Sequence, residues 1–405
     1  MQIQKRTSKK LKLLLAIIAA IILVLMAIAG KIENANKRFL SVATASTGGT
    51  YYPIGVGLAN VWSNHLKQEN IQVTGQSSAG SIENIDLLQK DEAQLAILQS
   101  LIAVEAYQGV RNFENRPYQD LRSIAVLWPN VEHFVLLDNK IKDGTLNDIA
   151  GTRFSVGPQA SGTEQSTLII LSGINLSKQD IQPEYLGYGD TVSAMRDGRL
   201  DGGALPAGVP ASAITDMYAS GVPARILNVT NEQLEKINAI ANSWFRFIIK
   251  PETYPRQKQP VQTIAQPNIL MTTRKIDEKI IYELTKSMFE NQKEVHQIHS
   301  SAKYILPENA LKGVSVPLHP GAYQYYREIG LNIPDYLMPP DTTSTSSEVQ
   351  PNTAINIKSF KINYLSYFNV RFNLLQSICS KGNNPERQPF DYKNAPTMKL
   401  LVSIP

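Results

Sequence analysis

The 405-residue chain has almost no cysteine: its single example is Cys379, so it has neither a disulfide framework nor a thiolate metal site. Histidine is also scarce, with five residues. His296 and His299 lie three apart beside Glu294 on a predicted helix from about 277 to 301, which is metal-ligand spacing. Because no third ligand is apparent, we interpret them as solvated helix histidines and expect no metal.

Catalytic and nucleotide-binding motifs are missing as well. The glycines at Gly48 and Gly49 begin neither a Gly-x-Gly-x-x-Gly fingerprint nor a P-loop, and no Gly-x-Ser-x-Gly or His-Glu-x-x-His occurs. The sequence therefore predicts a protein that is not an enzyme and has no cofactor.

The excess of basic residues is confined to the two ends of the chain. Residues 1–38 contain eight Lys or Arg and one Asp or Glu, and residues 341–405 contain seven and four, out of totals of 40 and 35. The remainder, 39–340, therefore has a net charge of −5. A mildly acidic body does not indicate nucleic-acid binding, and we expect no nucleic-acid partner.

Long apolar runs are absent except for residues 13–29, which follow a basic stretch and end in Ala27-Ile28-Ala29. A charged start, an apolar core and a small-x-small end are typical of a signal peptide, but the run is also nearly long enough to span a bilayer. Residues 1–30 are therefore predicted to be a signal peptide or an N-terminal membrane anchor. Both alternatives place the body of the protein outside the cytoplasm, in the periplasm or an equivalent compartment.

From Phe39 onward, short β-rich runs alternate with helical patterns, which predicts α/β architecture. We expect two Rossmann-like lobes joined by hinge strands, with a ligand cleft between them. Lobe 1 would comprise 39–127 plus about 262–338, and lobe 2 about 128–261. Residues 339–405 are expected to be a flexible linker and a poorly ordered tail whose aromatic patch we leave unexplained.

Several predicted strands end in loops of small polar residues at the start of a helix. The first such loop is Ser46-Thr47-Gly48-Gly49-Thr50-Tyr51-Tyr52-Pro53. Free N–H groups and the partial positive charge at a helix N-terminus favour an anion, and carboxylate is the anion we expect. Tyr51 and Trp128 would form an apolar wall. The predicted ligand-binding residues are Thr47, Gly49, Thr50, Tyr51, Asn84, Gln99, Ser100, Ser161, Gly162, Thr163, Gly208 and Val209.

The same residues also fit purely structural roles. Ser161 to Glu164 has the pattern of a capping box, with Ser161 as N-cap and Glu164 reaching back. Asn84 could serve its own backbone from a first helical turn. Glu164 could instead pair with the ammonium group of an amino-acid ligand.

Several motifs together resemble the TAXI family of TRAP-transporter solute-binding proteins. They are Ser46 to Gly55, Ser81-Ile82-Glu83-Asn84, 93–100, Phe154 to Gly157 with Ser161-Gly162-Thr163, and Val316 to Ala322. The resemblance covers about 39–338. It implies a type II periplasmic-binding-protein-like fold that closes on a small carboxylate, glutamate-like or a dicarboxylate, and delivers it to an ion-driven TRAP permease. It also implies ligand contacts at the twelve residues named above.

The sequence departs from this family in two places. Residues 341–405 have no counterpart, and Leu205-Pro206-Ala207 stands where the family commonly has an aromatic residue and glycine before Gly-Val-Pro. One alternative function is an ABC-type receptor for an oxyanion such as a sulfonate or phosphonate. A second alternative is an enzyme on the same fold.

Overall fold

The computed structural model describes residues 37–340. The expected signal peptide or anchor and nearly all of the expected tail lie outside this range. Among the described residues, no helix combines the length and the apolar character that a bilayer span requires.

The described chain alternates between strands and helices along most of its length. The strands are β1 (Arg38–Ala43), β2 (Ile71–Gln76), β3 (Leu95–Gln99), β4 (Leu121–Val131), β5 (Phe134–Leu137), β6 (Arg153–Ser155), β7 (Gln182–Glu184), β8 (Gly202–Ala204), β9 (Ala224–Ile226), β10 (Phe245–Ile249) and β11 (Val261–Thr273). The helices are α1 (Tyr51–His65), α2 (Ser81–Gln89), α3 (Ser100–Gln108), α4 (Gly162–Gly173), α5 (Tyr188–Arg196), α6 (Ser212–Ala219), α7 (Asn231–Ile240), α8 (Glu278–Glu290), α9 (Gln292–Ile298) and α10 (Pro320–Glu328).

The strands form two separate sheets. Most of the first sheet lies in lobe 1 and the second sheet lies in lobe 2, but β10 and the start of β11 belong to the first sheet and pack in the core of lobe 2. In the first sheet the order is β10-β11-β3-β1-β2, with β4 also paired to β11. Its β1, β2 and β3 are parallel, and β3 is buried along its whole length, as expected for a parallel strand covered by helices on both faces. The second sheet has the order β7-β6-β8-β5-β9, with β6 parallel to both neighbours. The predicted two-lobed α/β fold is confirmed.

Two chain segments cross between the lobes. β4 belongs to the first sheet and β5 to the second, and only Glu132 and His133 separate them. The return crossing is β11, which starts beside lobe 2, where the Val229 N–H donates to the Gln262 carbonyl at 2.7 Å. It then runs antiparallel to β4 as far as Thr273. We refer to β4 and β11 as the hinge strands.

The predicted single helix from about 277 to 301 is wrong. α8 ends at Glu290, and α9 begins after Asn291, whose side-chain amide donates to the Ser287 carbonyl at 2.8 Å. This local hydrogen bond competes with helix continuation, as asparagine often does. His299 lies past the end of α9 in extended backbone, so it does not share a helical face with His296. The described residues contain no group of three potential metal ligands.

Candidate functional site

Five helices of the described chain begin around one cavity between the lobes. α1, α2 and α3 start there from lobe 1, and α4 and α5 start there from lobe 2. The cavity volume is about 20 Å³, roughly the room that one water molecule needs. Its lining consists of Ala45, Ser46, Gly49, Thr50, Tyr51, Ala79, Gly80, Ser81, Gln99, Asn130, Gly162, Thr163, Tyr188 and Pro206.

The cavity lining contains hydrogen-bonding groups but no ionised side chain among the described residues. Its polar side chains are hydroxyls and amides, and the helix N-termini add unpaired backbone N–H groups. Each N-terminus carries about half a positive charge, so five of them favour a bound anion without a cationic residue. The arrangement suits a small oxyanion that is held by many neutral donors.

Direct hydrogen bonds across the cleft hold the lobes together. The Gly208 N–H donates to Thr50 Oγ1 at 2.9 Å, and Ser212 Oγ donates to the Gly48 carbonyl at the same distance. The Glu83 N–H donates to the Ala160 carbonyl at 3.0 Å. With so small a cavity, these contacts define a closed arrangement. The cleft must widen to admit an organic acid.

Gly48 and Gly49 are required for close approach between the lobes rather than for an unusual backbone angle. Neither glycine has a positive φ. A Cβ on Gly48 would lie 3.1 Å from Tyr188 Cβ, and one on Gly49 would lie 3.2 Å from Tyr188 Cε2. Because Tyr188 starts α5 of lobe 2, the glycine pair lets the opening loop of lobe 1 contact the opposite lobe.

The structure places six of the twelve predicted residues on the cavity lining and six outside it. Thr47 is exposed, and Asn84, Ser100, Ser161, Gly208 and Val209 are engaged elsewhere. The six that line the cavity are Gly49, Thr50, Tyr51, Gln99, Gly162 and Thr163.

Asn84 braces the ends of the parallel strands. Its buried amide nitrogen donates to the carbonyl of Thr44 at 2.8 Å and to that of Ile97 at 3.0 Å. Its amide oxygen accepts from Ser78 Oγ at 2.6 Å. The side chain therefore ties β1 to β3, and it does not reach the cavity. Ser100 is likewise turned toward a hinge strand, where its Oγ lies 3.5 Å from Gln266 Oε1.

Ser161 is the N-cap of α4, as the capping pattern predicts. Its Oγ accepts from the Glu164 N–H at 3.0 Å. The Glu164 carboxylate reaches back one residue further than expected, to the Ala160 N–H at 3.1 Å, and lies 3.7 Å from Lys178 Nζ. Glu164 is not on the cavity lining, and its carboxylate already has partners in the Ala160 N–H and Lys178 Nζ, which argues against its pairing with a ligand ammonium.

The turn at Gly208 and Val209 belongs to the closure contacts. The Val209 carbonyl accepts from Ser301 Oγ at 3.2 Å, and a Cβ on Gly208 would lie 2.8 Å from Ser301 Cβ. Ser301 follows α9 of lobe 1, so this turn also joins the lobes. Its place in the lining is taken by the neighbouring Pro206.

Tyr51 lines the cavity from the first residue of α1. Its hydroxyl donates to Asn268 Oδ1 at 2.5 Å, and its ring meets Trp128 edge-on with a centroid distance of 5.7 Å. Burial raises the pKa of Tyr51 well above its usual value, so the phenol is neutral. Trp128 supports this ring from behind and is not itself part of the lining.

The most informative residue that the sequence reasoning missed is Asn130, on hinge strand β4. It is 1% exposed, it lines the cavity, and within the described chain neither Oδ1 nor Nδ2 has a hydrogen-bond partner. A signal was present, since Asn130 is polar in a run that is otherwise apolar from Ile124 to Val131. Ser46, Ala45, Ala79, Gly80, Ser81, Tyr188 and Pro206 also line the cavity without having been predicted.

Two buried titratable groups lie between the hinge strand β4 and β5. Burial raises the pKa of Glu132 to about 8, and burial is also the main cause of the raised pKa values of Tyr51 and Tyr188. Burial lowers the pKa of His133 to about 4. The neutral imidazole bridges the Val131 carbonyl at 2.9 Å and the Tyr254 hydroxyl at 2.7 Å.

Two α/β lobes, a pair of hinge strands and a cavity at the helix N-termini define a periplasmic-binding-protein-like fold. Residues 42–330, more than two thirds of the chain, match the NMT1-like family. The protein therefore belongs to the NMT1-like family.

Solved structures that resemble this chain include two sulphonate-binding proteins and PhnD1. The periplasmic aliphatic sulphonate-binding protein SsuA from Escherichia coli is 15% identical with a TM-score of 0.41, over 72% of this chain and 83% of that chain. The alkanesulfonate-binding protein SsuA from Xanthomonas axonopodis pv. citri, bound to MOPS, is 13% identical with a TM-score of 0.41, over 72% of this chain and 90% of that chain. PhnD1 from Prochlorococcus marinus, in complex with methylphosphonate, is 15% identical with a TM-score of 0.39, over 65% of this chain and 90% of that chain. Similarity at this level does not identify the ligand of this chain.

Proposed function

We propose that the protein is an extracytoplasmic solute-binding protein that captures a small organic oxyanion between its lobes for a membrane transporter. The observation that carries the proposal is the convergence of five helix N-termini on a cavity without an ionised side chain. Such a site binds an anion through neutral donors.

Within this function, the first candidate ligand is a carboxylate, glutamate-like or a dicarboxylate, and the first candidate partner is a TRAP permease. This choice rests on the motifs that resemble the TAXI family. The N-terminal segment would export the protein or tether it to the membrane. With the domain limits predicted above, each lobe would then form one side of the ligand cleft.

The second candidate is an ABC-type receptor for a sulfonate or phosphonate. The similar solved structures favour it, since two are of sulphonate-binding proteins, one of them bound to MOPS, and the third is of PhnD1 in complex with methylphosphonate. Neutral N–H donors at helix N-termini suit these oxyanions as well as they suit carboxylates.

Isothermal titration of one panel of ligands separates the two candidates. The panel contains L-glutamate, 2-oxoglutarate, glutarate, ethanesulfonate and methylphosphonate. Micromolar or tighter binding of a carboxylate with no measurable binding of the others supports the first candidate, and the reverse pattern supports the second. Failure of every small oxyanion to bind a folded protein contradicts the proposed function.

Replacing Thr50 tests whether the closure contacts contribute to affinity. Thr50→Val keeps the side-chain shape but removes the acceptor for the Gly208 N–H, which is then buried without a partner when the lobes close. The loss of about 1 kcal/mol corresponds to roughly fivefold weaker binding of the tightest panel ligand. Thr50→Ser keeps the hydroxyl and serves as the control. Equal affinities for Thr50→Val and the wild type would show that this contact does not contribute.

A further inference from the structure

The hinge strands carry a concentration of unsatisfied polar atoms next to the cavity. In the described chain these are Oδ1 and Nδ2 of Asn130, Oε2 of Glu132 and Nδ2 of Asn268. All three side chains are at most 1% exposed. A buried polar group without a partner destabilises the folded protein by about 1–3 kcal/mol. A cluster of such groups at a ligand cavity therefore indicates that they form hydrogen bonds with the bound ligand.

The neighbours of these atoms place them at the floor of the cavity. Asn130 is itself part of the lining, and Asn268 accepts from the hydroxyl of Tyr51, which also lines the cavity. Gln266 is the cross-strand partner of Asn130, and its amide donates to Gln99 Oε1 at 3.3 Å, again at the lining. The floor is thus formed by the hinge strands, whereas the helix N-termini form the walls.

Glu132 lies two residues beyond Asn130, and side chains two apart on extended backbone point to the same side. Its Oε1 accepts from Trp244 Nε1 at 3.1 Å, and its Oε2 has no hydrogen-bond partner within the described chain. Glu132 is buried behind Asn130 and is not itself part of the lining. The helix N-termini supply only donors. The hinge strands add acceptors, namely Asn130 Oδ1 and, when the carboxyl group is ionised, Glu132 Oε2.

We propose that Asn130 and Glu132 are specificity-determining residues that accept a hydrogen bond from a donor group on the ligand. The ligand is then an organic oxyanion that also carries a protonated amine or a hydroxyl group. This inference rests on the proposed function, because it describes the same cavity.

The groups around Glu132 are consistent with this role. Tyr51 from α1, Tyr188 from α5 and His133 beside it are all neutral at pH 7. Trp244 donates to the other carboxylate oxygen, and the side chains of Trp244 and Gln266 both act to lower the pKa that burial raises. Burial raises the pKa of Glu132 to about 8, so it is mainly protonated at pH 7 without a partner. A ligand ammonium would supply the missing charge and favour the ionised carboxylate.

Matched pairs of ligands test the inference by calorimetry on the full chain. The pairs are L-glutamate with glutarate, 2-aminoethanesulfonate with ethanesulfonate, and aminomethylphosphonate with methylphosphonate, each differing only in the amine. 2-Hydroxyglutarate provides the hydroxyl. In the series that binds, we expect the donor-bearing member to bind at least tenfold more tightly. Equal affinities for the two members of that pair would overturn the inference but leave the proposed function intact. If the carboxylates are the series that binds, 2-hydroxyglutarate must also bind no more tightly than glutarate for the inference to be overturned.

Two variants assign the effect to the named residues. Asn130→Leu should reduce the preference for the donor-bearing ligand to less than threefold. Asn130→Ser is the substitute if the leucine variant fails to fold. Glu132→Gln should weaken an amine ligand at least tenfold but a hydroxyl ligand less than threefold. A preference that survives in every variant would overturn the assignment. If no ligand of any pair binds the folded wild type, the proposed function fails as well.

Discussion

Glu132→Gln is expected to make the protein more stable at neutral and alkaline pH and to leave its stability at pH 4 nearly unchanged. The native pKa of Glu132 is about 8 because the carboxyl is buried, whereas an unfolded glutamate titrates near 4.3. Since the native state holds the proton more tightly, the wild type loses stability as the pH rises from about 4 to about 8. The full loss is about 5 kcal/mol, and glutamine does not incur it.

Urea denaturation of both proteins at several pH values measures this difference. The advantage of Glu132→Gln should grow from near zero at pH 4 to several kcal/mol at pH 8 and then level off. Glu69→Gln, which replaces an exposed glutamate, is the control and should change stability by less than about 0.5 kcal/mol. A difference between wild type and Glu132→Gln that does not vary with pH would show that Glu132 is ionised in the native state.

Gly162→Val is expected to prevent full closure of the lobes and to weaken binding of the tightest panel ligand at least a hundredfold. A Cβ on Gly162 would lie 2.7 Å from Ser81 Oγ and 2.9 Å from Gln99 Cδ. Gly162 belongs to lobe 2, and both contacts belong to lobe 1. Valine adds two further methyl groups, so the lobes must separate. Ligand contacts that exist only in the closed state are then lost.

Gly189→Val is the matched control. Like Gly162 in α4, Gly189 lies in the first turn of its helix, α5, but a Cβ on Gly189 would have no atom within 4 Å. The unfolding free energies of both variants should stay within about 1 kcal/mol of the wild type. Small-angle X-ray scattering should show a larger radius of gyration for Gly162→Val alone. Binding by Gly162→Val at wild-type strength would place the ligand site outside this cleft.

The architecture was predictable because short apolar strands and small-residue loops recur at regular intervals. Strand ends in a parallel sheet meet at one edge, so the loops at Gly49 and Gln99 lie together at the edge of the first sheet, and the loop at Gly162 faces them from the second sheet. Within each loop, the choice of residue was harder. Thr47 and Thr50 are chemically alike, but only Thr50 is the N-cap of α1 and lines the cavity.

The hinge floor was not predictable by the same reasoning. Asn130 and Glu132 lie in or beside strands rather than in strand-to-helix loops, and their role depends on where β4 passes under the opposite lobe. Asn84 shows the converse error. Its position in a first helical turn suggested a ligand contact, but three strand carbonyls accept its amide hydrogens in the folded chain. Tertiary packing decided both cases.

The family-like motif around His319 also acquires a structural explanation. His319 caps α10 by accepting from the Gly321 N–H at 3.2 Å, and Gly321 packs so closely on Glu278 that a Cβ would lie 2.1 Å from its carbonyl oxygen. These contacts join α10 to α8, and no residue of the motif is on the cavity lining. The motif from Val316 to Ala322 is therefore explained by the packing of the fold and gives no information about the ligand.

The cavity without ionised side chains has a kinetic consequence when it is combined with the net charge of −5 on residues 39–340. Helix N-termini attract an anion only over the length of a turn, whereas net charge acts over a Debye length of about 10 Å at 0.1 M salt. The surface therefore repels an anionic ligand at long range. Added salt screens this repulsion, so for a protein without the basic ends the association rate constant should rise with ionic strength, the opposite of electrostatic steering.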